Sequence, residues 1–241
     1  MSQPAREQEW QEGAGSLLLL AAAHETALLS QLEAAVLARG DTPKVPQPPA
    51  QRLSRPQRNL LLTLLFLNAV GLQRPWDLRT YTGSELELLT GRPQPYSYRH
   101  VERFLRILAT ANADEAFTTA LAGWTSTLWQ VKARSQGATS SHVYVDGHRK
   151  PVYTDTLIPR GLIGNSGKIL GCRALTLLHD DQGHPLLATT HRGDLHLTNG
   201  IPAVLTCYEH ATEALQLSNL VVDREAMAAD FLAQVHVSRP V

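Results

Sequence analysis

The stretch that most constrains the fold is the run at residues 142–148, which reads HVYVDGH. Val143 and Val145 flank a tyrosine, which is the period of a β-strand, and β-branched and aromatic residues are the ones that strands favour. Asp146 and Gly147 come next, and both residue types favour turns. The pattern therefore predicts a short strand that ends with a carboxylate at its C-terminal edge.

A second copy of this arrangement lies near the end of the sequence. Residues 219–222 read NLVV, and Asp223 follows them. Most aspartates at strand ends only form turns. Two carboxylates on neighbouring strands, however, are what a pair of hard divalent cations needs. The pattern thus predicts that Asp146 and Asp223 lie side by side and share a metal site.

The periodicity divides the chain into a helical half and a mixed half. The predicted regions are an N-terminal helix at 1–40, a proline-rich linker at 41–53, an α-helical domain at 54–134 and a domain of mixed type at 142–241. In the last domain the strands are predicted at 142–147, 150–157, 168–178, 184–190 and 219–223, and the helices at 201–217 and 227–235. This order predicts an α/β chain (α+β overall) whose mixed sheet is flanked by helices.

The first helix is predicted to run without a break from Ser16 to about Ala38, because its residues are strong helix formers. Leu29, Leu32 and Val36 share one face of it. That face allows either a coiled-coil contact with a second copy or packing on the chain's own core.

One later helix carries a stripe of arginines. Between Ser97 and about Ala109, Arg99, Arg103 and Arg106 fall within about 60° of one another. The apolar residues on the opposite side are Val101, Phe104, Leu105 and Leu108. Two helices joined by a turn, the second with a basic stripe, suggest a helix-turn-helix that contacts DNA. An ordinary solvated helix face is the alternative.

The overall composition does not indicate a nucleic-acid-binding protein, but the local composition of the helical domain does. Hydrophobic residues make up 43% and charged residues 18% of the 241 residues, which is typical of a globular chain, and the formal net charge is zero. Residues 51–110 nevertheless contain nine arginines against four acids. The DNA contacts are therefore expected from the helical domain, with Arg92 added to the stripe.

Cysteine usage and hydropathy suggest a reducing compartment. Cys172 and Cys207 are the two cysteines, too few for a disulfide framework or a zinc knuckle. The apolar run Leu17 to Ala23 is too short to span a bilayer, and the acidic segment before it does not resemble a signal peptide. A cytoplasmic protein without a membrane span is expected.

Four motifs occur in order: VYVDGHRKPVY, then IPRG at 158–161, then DDQGHPLL at 180–187, then VVDRE at 221–225. Together they resemble the insertion-sequence transposases of the DDE type, in particular the group whose first catalytic strand reads (Y)VDGH with a downstream P-(K/R)-G. The resemblance covers roughly residues 55–241. It implies a ribonuclease-H-like catalytic domain behind an α-helical DNA-binding region, in a prokaryotic, nucleoid-associated protein.

The resemblance also implies roles for individual residues. Asp146 and Asp223 would be the first and second catalytic acids, each a ligand to Mg²⁺ or Mn²⁺, with two ions in the complete site. His148 would orient a ligand or contact phosphate, or else stabilise a turn. Arg224 would pair with a phosphate or hold the neighbouring carboxylate ionised. The implied partner is double-stranded DNA at transposon ends, with no organic cofactor, and a homo-oligomer is left open.

The sequence departs from the family at the third acid. The family places it on a later helix, many tens of residues beyond Asp223, whereas this sequence stops at Val241 and Glu225 is too close. The expectation is the N-terminal part of a transposase, with an incomplete ribonuclease-H-like sheet and no catalysis on its own. A non-catalytic DNA-binding remnant or regulator is the alternative, and a globular protein without nucleic-acid binding is the third.

Overall fold

The computed structural model of the chain describes residues 15–38, 52–81, 84–135, 142–164, 167–212, 219–223 and 226–238, with side chains except at 130–135 and 234–238. The chain divides into two compact units, Met1–Ala120 and Leu121–Val241. The described elements of the first unit are helical, and those of the second include a sheet.

Seven helical segments begin in the first unit. They are α1 (residues 15–25), α2 (Leu28–Ala38), α3 (Arg55–Ala69), a 3-10 helix (Pro75–Arg79), α4 (Glu85–Thr90), α5 (Tyr98–Thr110) and α6 (Ala113–Ser135). Local chemistry sets several of their ends. The backbone N–H of Ser54 donates to Oε1 of Gln57 at 3.1 Å before α3, and Gly91, at φ 62°, ends α4 in the left-handed conformation.

The prediction of one unbroken helix from residue 16 to residue 38 is wrong, because α1 and α2 are separate. Ala27 between them has φ 57°, a left-handed conformation that an α-helix does not accommodate. The Thr26 hydroxyl donates to the carbonyl oxygen of Ala22 at 2.7 Å. The composition of the segment does not predict this break, because helix propensity is a weak signal that tertiary context overrides.

A core of leucine and phenylalanine side chains holds this unit together. Its buried residues are Ala23, Leu29, Leu32, Val36, Leu61, Leu62, Phe66, Leu86, Leu89, Phe104, Leu108 and Ala113. The apolar face of α2 thus packs on the chain's own core. Three of the four apolar residues predicted for the core side of α5 are buried, whereas Leu105, at the border of that stripe, is 38% exposed.

The second unit contains a five-stranded mixed sheet. Its elements are β1 (His142–Pro151), β2 (Arg160–Ile163), β3 (Lys168–Asp180), β4 (Pro185–Arg192), α7 (Leu197–Thr212), β5 (Asn219–Val222) and α8 (Ala229–Ser238). The order is β2-β3-β1-β5, and β4 also pairs with β3. All pairings are antiparallel except that of β5 with β1. The predicted mixed α/β architecture is confirmed at this level.

Alternation along the strands gives the sheet one buried face. Val143 and Val145 of β1 and Leu178 of β3 are buried on it, together with Ile201 and Leu205 of α7. These residues form the core of the second unit. Side chains of successive strand residues point to opposite faces, so the same alternation directs the even-numbered residues of β1 away from this core.

Four of the five predicted strands are found, one is wrong, and β2 was not predicted. The predicted strand at 150–157 is wrong beyond Pro151, where β1 ends. A tight turn at 180–183 connects β3 to β4. The Asp180 carboxylate accepts bonds from the backbone N–H groups of Gln182 and His184, at 3.0 and 2.7 Å, and Gly183 has φ 78°.

Among the residues that the structure describes, none of the helices combines the length and the apolar character needed to cross a membrane.

The packing of α7 against β3 yields a test of the fold. Gly200 lies so close to β3 that an added Cβ would overlap Oγ1 of the buried Thr176. Alanine favours a helix over glycine by about 1 kcal/mol, but overpacking costs about 1–3 kcal/mol. We therefore expect Gly200→Ala to lower the urea midpoint of unfolding. Gly15→Ala in α1, where nothing lies within 4 Å of the added Cβ, is the control and should not lower it. An unchanged midpoint in Gly200→Ala would contradict this packing.

Candidate functional site

The two predicted acids follow a short parallel ladder. β1 and β5 pair from His142↔Asn219 to Val145↔Val222, and Asp146 and Asp223 are the next residues on their strands. Neighbouring strands lie about 4.8 Å apart. Both aspartates are exposed, so their carboxylates are reached from solvent without rearrangement of the core.

The turn predicted at Asp146 and Gly147 is wrong, because β1 runs through both residues to Pro151. Gly147 faces Leu197 at the start of α7, and a Cβ at this position would lie 3.0 Å from Cδ1 of that leucine. The glycine therefore makes room for a packed side chain instead of bending the chain. Asp146 lies inside β1, at the point where the pairing with β5 stops.

A cavity of about 310 Å³ adjoins the second acid. Its lining includes His148, Arg149, His191, His196 and Asp223, but Asp146 is outside it. His148 is exposed and lies on β1 two residues beyond Asp146, hence on the same face of the strand. The structure thus brings His148 and Asp223 to one cavity and leaves Asp146 on the open sheet beside it.

Arg149 has a role that the sequence did not suggest. Its Nε donates to the carbonyl oxygen of Gly193 at 3.2 Å, and its Nη2 donates to that of Leu195 at 3.3 Å. The guanidinium thereby ties the segment after β4 to β1. Because these partners are more than forty positions away, only the folded pairing reveals the contact.

His191 is the cavity residue with a shifted proton affinity. Burial lowers its pKa from the ordinary value near 6.5, because desolvation disfavours the imidazolium. Its Nε2 lies 2.8 Å from Oγ1 of Thr189. No sequence pattern separates this histidine from the exposed ones, so its position in the cavity is visible only in the folded structure.

The carboxylates of Asp146 and Asp223 are suitable ligands for a hard cation, but the described residues do not supply a complete set of ligands. Carboxylate oxygens are the ligands that Mg²⁺ prefers. Within the described stretches, no group of three or more histidine, cysteine, aspartate or glutamate side chains could hold a metal ion. Arg224 and Glu225 lie outside the described residues, so the role predicted for Arg224 stays a prediction.

In the first unit, the arginine stripe of α5 lies on the surface. Arg99, Arg103 and Arg106 are all exposed, opposite the buried residues of the helix. Nε of Arg99 donates to the Tyr98 hydroxyl at 3.2 Å, and the Tyr98 ring lies 4.7 Å from that of Trp76. The predicted placement of the stripe is therefore confirmed, while its contact with DNA remains a prediction.

Arg92 differs from the other arginines. Its guanidinium carbon lies 4.1 Å from the centre of the Tyr96 ring, and its Nε donates to the carbonyl oxygen of Gln94 at 3.2 Å. The side chain thus stabilises the turn before α5. The DNA contact predicted for Arg92 would require the same guanidinium to keep these contacts and to bind a phosphate as well.

Comparisons with protein-family models, with curated proteins and with solved structures find no match to this chain.

The lowered pKa of His191 predicts a pH dependence of stability. The unfolded chain binds a proton at this residue near pH 6.5, before the folded chain does. The contribution of His191 to stability is therefore complete above that pH and is lost as the pH falls below it. We expect the urea midpoint to decrease less between pH 7.5 and 5.5 in His191→Gln than in the wild type. The same change at the exposed His196 is the control, and an unaltered pH dependence in His191→Gln would contradict the assignment.

Proposed function

We propose that this chain supplies the DNA-binding region and the first two catalytic acids of a DDE-type transposase, which acts on DNA through metal-dependent hydrolysis of phosphodiester bonds and strand transfer, and that the chain has no catalysis on its own. The observation that carries the proposal is the parallel pairing of β1 with β5, since Asp146 and Asp223 follow its last residue pair. The mixed sheet with flanking helices supports the ribonuclease-H-like assignment of the second unit.

In the proposed reaction, the residues of the site have different roles. Asp146 and Asp223 would hold the cations, and His148, on the same strand face as Asp146, would orient a ligand or a phosphate oxygen. The ions would supply positive charge for the attacking and leaving oxygens of an in-line displacement at phosphorus. The exposure of both carboxylates supports a bulky polymeric substrate over a small molecule.

The helical unit supplies the proposed DNA contacts. Arg99, Arg103 and Arg106 project from one side of α5, and this arrangement suits a row of phosphates. Aromatic rings lie at the start of the same surface: the guanidinium carbon of Arg79 is 4.3 Å from the centre of the Trp76 ring. The proposal therefore separates binding, through the first unit, from chemistry, through the second.

A DNA-binding protein without catalysis is the second candidate. It shares the exposed arginine stripe with the catalytic candidate, and one observation favours it: no third metal-ligating side chain lies near the two acids among the described residues. Both candidates predict that α5 contacts DNA. Only the catalytic candidate predicts that Asp146 and Asp223 bind a metal ion.

Metal binding tests the catalytic candidate directly. Mn²⁺ at about 100 times its Kd should raise the free energy of unfolding by about 2.7 kcal/mol, because it binds the folded chain only. We expect Asp146→Asn and Asp223→Asn to lose this stabilisation, measured by thermal unfolding with and without Mn²⁺. Asp155→Asn, at an exposed position away from β5, is the matched control and should keep it. A wild-type chain that Mn²⁺ does not stabilise would remove the metal site from the proposal.

DNA binding tests the helical unit, which both candidates need. Replacing Arg99, Arg103 and Arg106 together by alanine should weaken binding to a duplex. It should also reduce the slope of log K against log salt by about 2.7, at about 0.9 for each lost phosphate contact. Arg74→Ala removes an exposed arginine of the same unit whose guanidinium pairs with Asp77 at 2.9 Å, and should leave the slope unchanged. Equal slopes for the wild type and the triple variant would exclude α5 as the DNA-binding element.

A further inference from the structure

The two faces of the sheet differ in what covers them. Core-facing residues such as Val145, Thr176 and Leu178 are buried. On the opposite face, not one described residue of β1, β3, β4 or β5 is buried, and the residues at its centre, Leu175 and Leu177, are only partly covered. Asp146 belongs to this open face, so the face is part of the proposed site.

Three cations lie side by side on the open face. Lys150 of β1 pairs in register with Arg173 of β3, and Arg173 pairs with Arg192 of β4. Directly opposed residues project from the same face, with Cβ atoms about 4.5–5.5 Å apart, and like charges in such positions destabilise a sheet. We call Lys150, Arg173 and Arg192 the basic row.

Within the described chain, only one member of the basic row has a counter-charge. Arg192 forms a two-pronged ion pair with Asp194, with Nη2 to Oδ2 at 3.0 Å and Nε to Oδ1 at 3.2 Å. This hydrogen-bonded pairing lowers the pKa of Asp194. Lys150 and Arg173 are exposed and have no acidic partner among the described residues. Within the part of the chain that the structure describes, the row therefore retains two positive charges without an acidic partner at neighbouring positions.

The basic row and the acids have a fixed spacing. Lys150 lies four residues beyond Asp146 on β1, so both point to the same face and are about 13 Å apart along the strand. His148 lies between them. One strand of duplex DNA presents a phosphate for every 3.4 Å or so of helix axis, so this distance corresponds to roughly four nucleotides.

We propose that the basic row binds the phosphate backbone of the DNA strand whose reacting phosphate lies at Asp146 and Asp223. This inference rests on the proposed function and names the surface that holds its substrate. The carboxylates attract cations and repel phosphate, whereas the basic row attracts phosphate, so the open face orients a polyanion along β1. A polyanion along β1 would reach both the basic row and the acids about 13 Å away, whereas a single phosphate ion would reach one of them.

The experiment measures the binding of the full chain to a fluorescent 30-base-pair duplex of random sequence at several salt concentrations. We expect Lys150→Ala/Arg173→Ala to weaken binding and to reduce the salt slope by about 1.8, for two lost phosphate contacts at about 0.9 each. The charge-retaining pair Lys150→Arg/Arg173→Lys should keep most of the wild-type slope. Lys168→Ala is the control for the single change Lys150→Ala. It removes an exposed lysine at the start of β3, at a position that alternation assigns to the other face of the sheet.

Photo-crosslinking locates the contact independently of affinity. Thr190 is exposed on the open face, one step from the basic row, because it pairs in register with Leu175. A benzoylphenylalanine at this position should crosslink to the DNA, whereas the same residue at Glu209, on the exposed side of α7, should not. Crosslinks from position 190 to a second copy of the chain, in place of DNA, would assign the open face to self-association and overturn the proposal.

The outcomes separate the inference from the proposed function. If the wild type binds DNA and Mn²⁺ stabilises it, but the Lys150/Arg173 variant shows wild-type affinity and slope, the basic row is not a DNA contact and the transposase proposal stands. If the wild type shows neither DNA binding nor Mn²⁺ stabilisation, both fail together.

Discussion

Four pairs of residues between β1 and β5 determine what the second unit can do. Parallel strands require a long crossover connection, and α7 lies between β4 and β5 in the chain, packed on the buried face. Register follows from burial, because a slip of one residue would turn Val143 and Val145 out of the core. The same slip would move Asp146 to the buried side. The core therefore specifies the position of an acid that it never contacts.

The described elements cover one face of the sheet, and this explains where the charged residues of the sheet lie. A carboxylate or a guanidinium buried without a partner costs several kcal/mol, whereas on an open face it keeps its water. Arg173 lies between two buried residues of β3, Asp146 follows the buried Val145, and Lys150 lies between two partly buried residues of β1. Hydration removes the desolvation cost but leaves the repulsion between like charges, and that repulsion is what a bound cation or polyanion would relieve.

The sequence predicted the periodic features and missed those that depend on pairing. Alternation located the strands, and the runs of leucine located the helices, because both signals are local. Asp146-Gly147 was misread as a turn because the space for Leu197 exists only once α7 has packed on the sheet. The two acids, in contrast, could be proposed from the sequence, because each of them follows a short apolar run that predicts a strand. The alignment of Lys150, Arg173 and Arg192 required a register that no pattern in the sequence encodes.

Zero net charge conceals a segregated distribution of charge. The helical region is rich in arginine, and in the second unit acids follow one end of the β1–β5 ladder while cations occupy the far half of β1 and its neighbours. A sheet selected for stability alone would place opposite charges across from each other, since cross-strand pairs of opposite sign stabilise and like pairs do the reverse. This sheet does the opposite in the Lys150–Arg173–Arg192 row. Like charges directly opposite each other weaken a sheet, and the proposed binding of a phosphate backbone to the row would remove that repulsion.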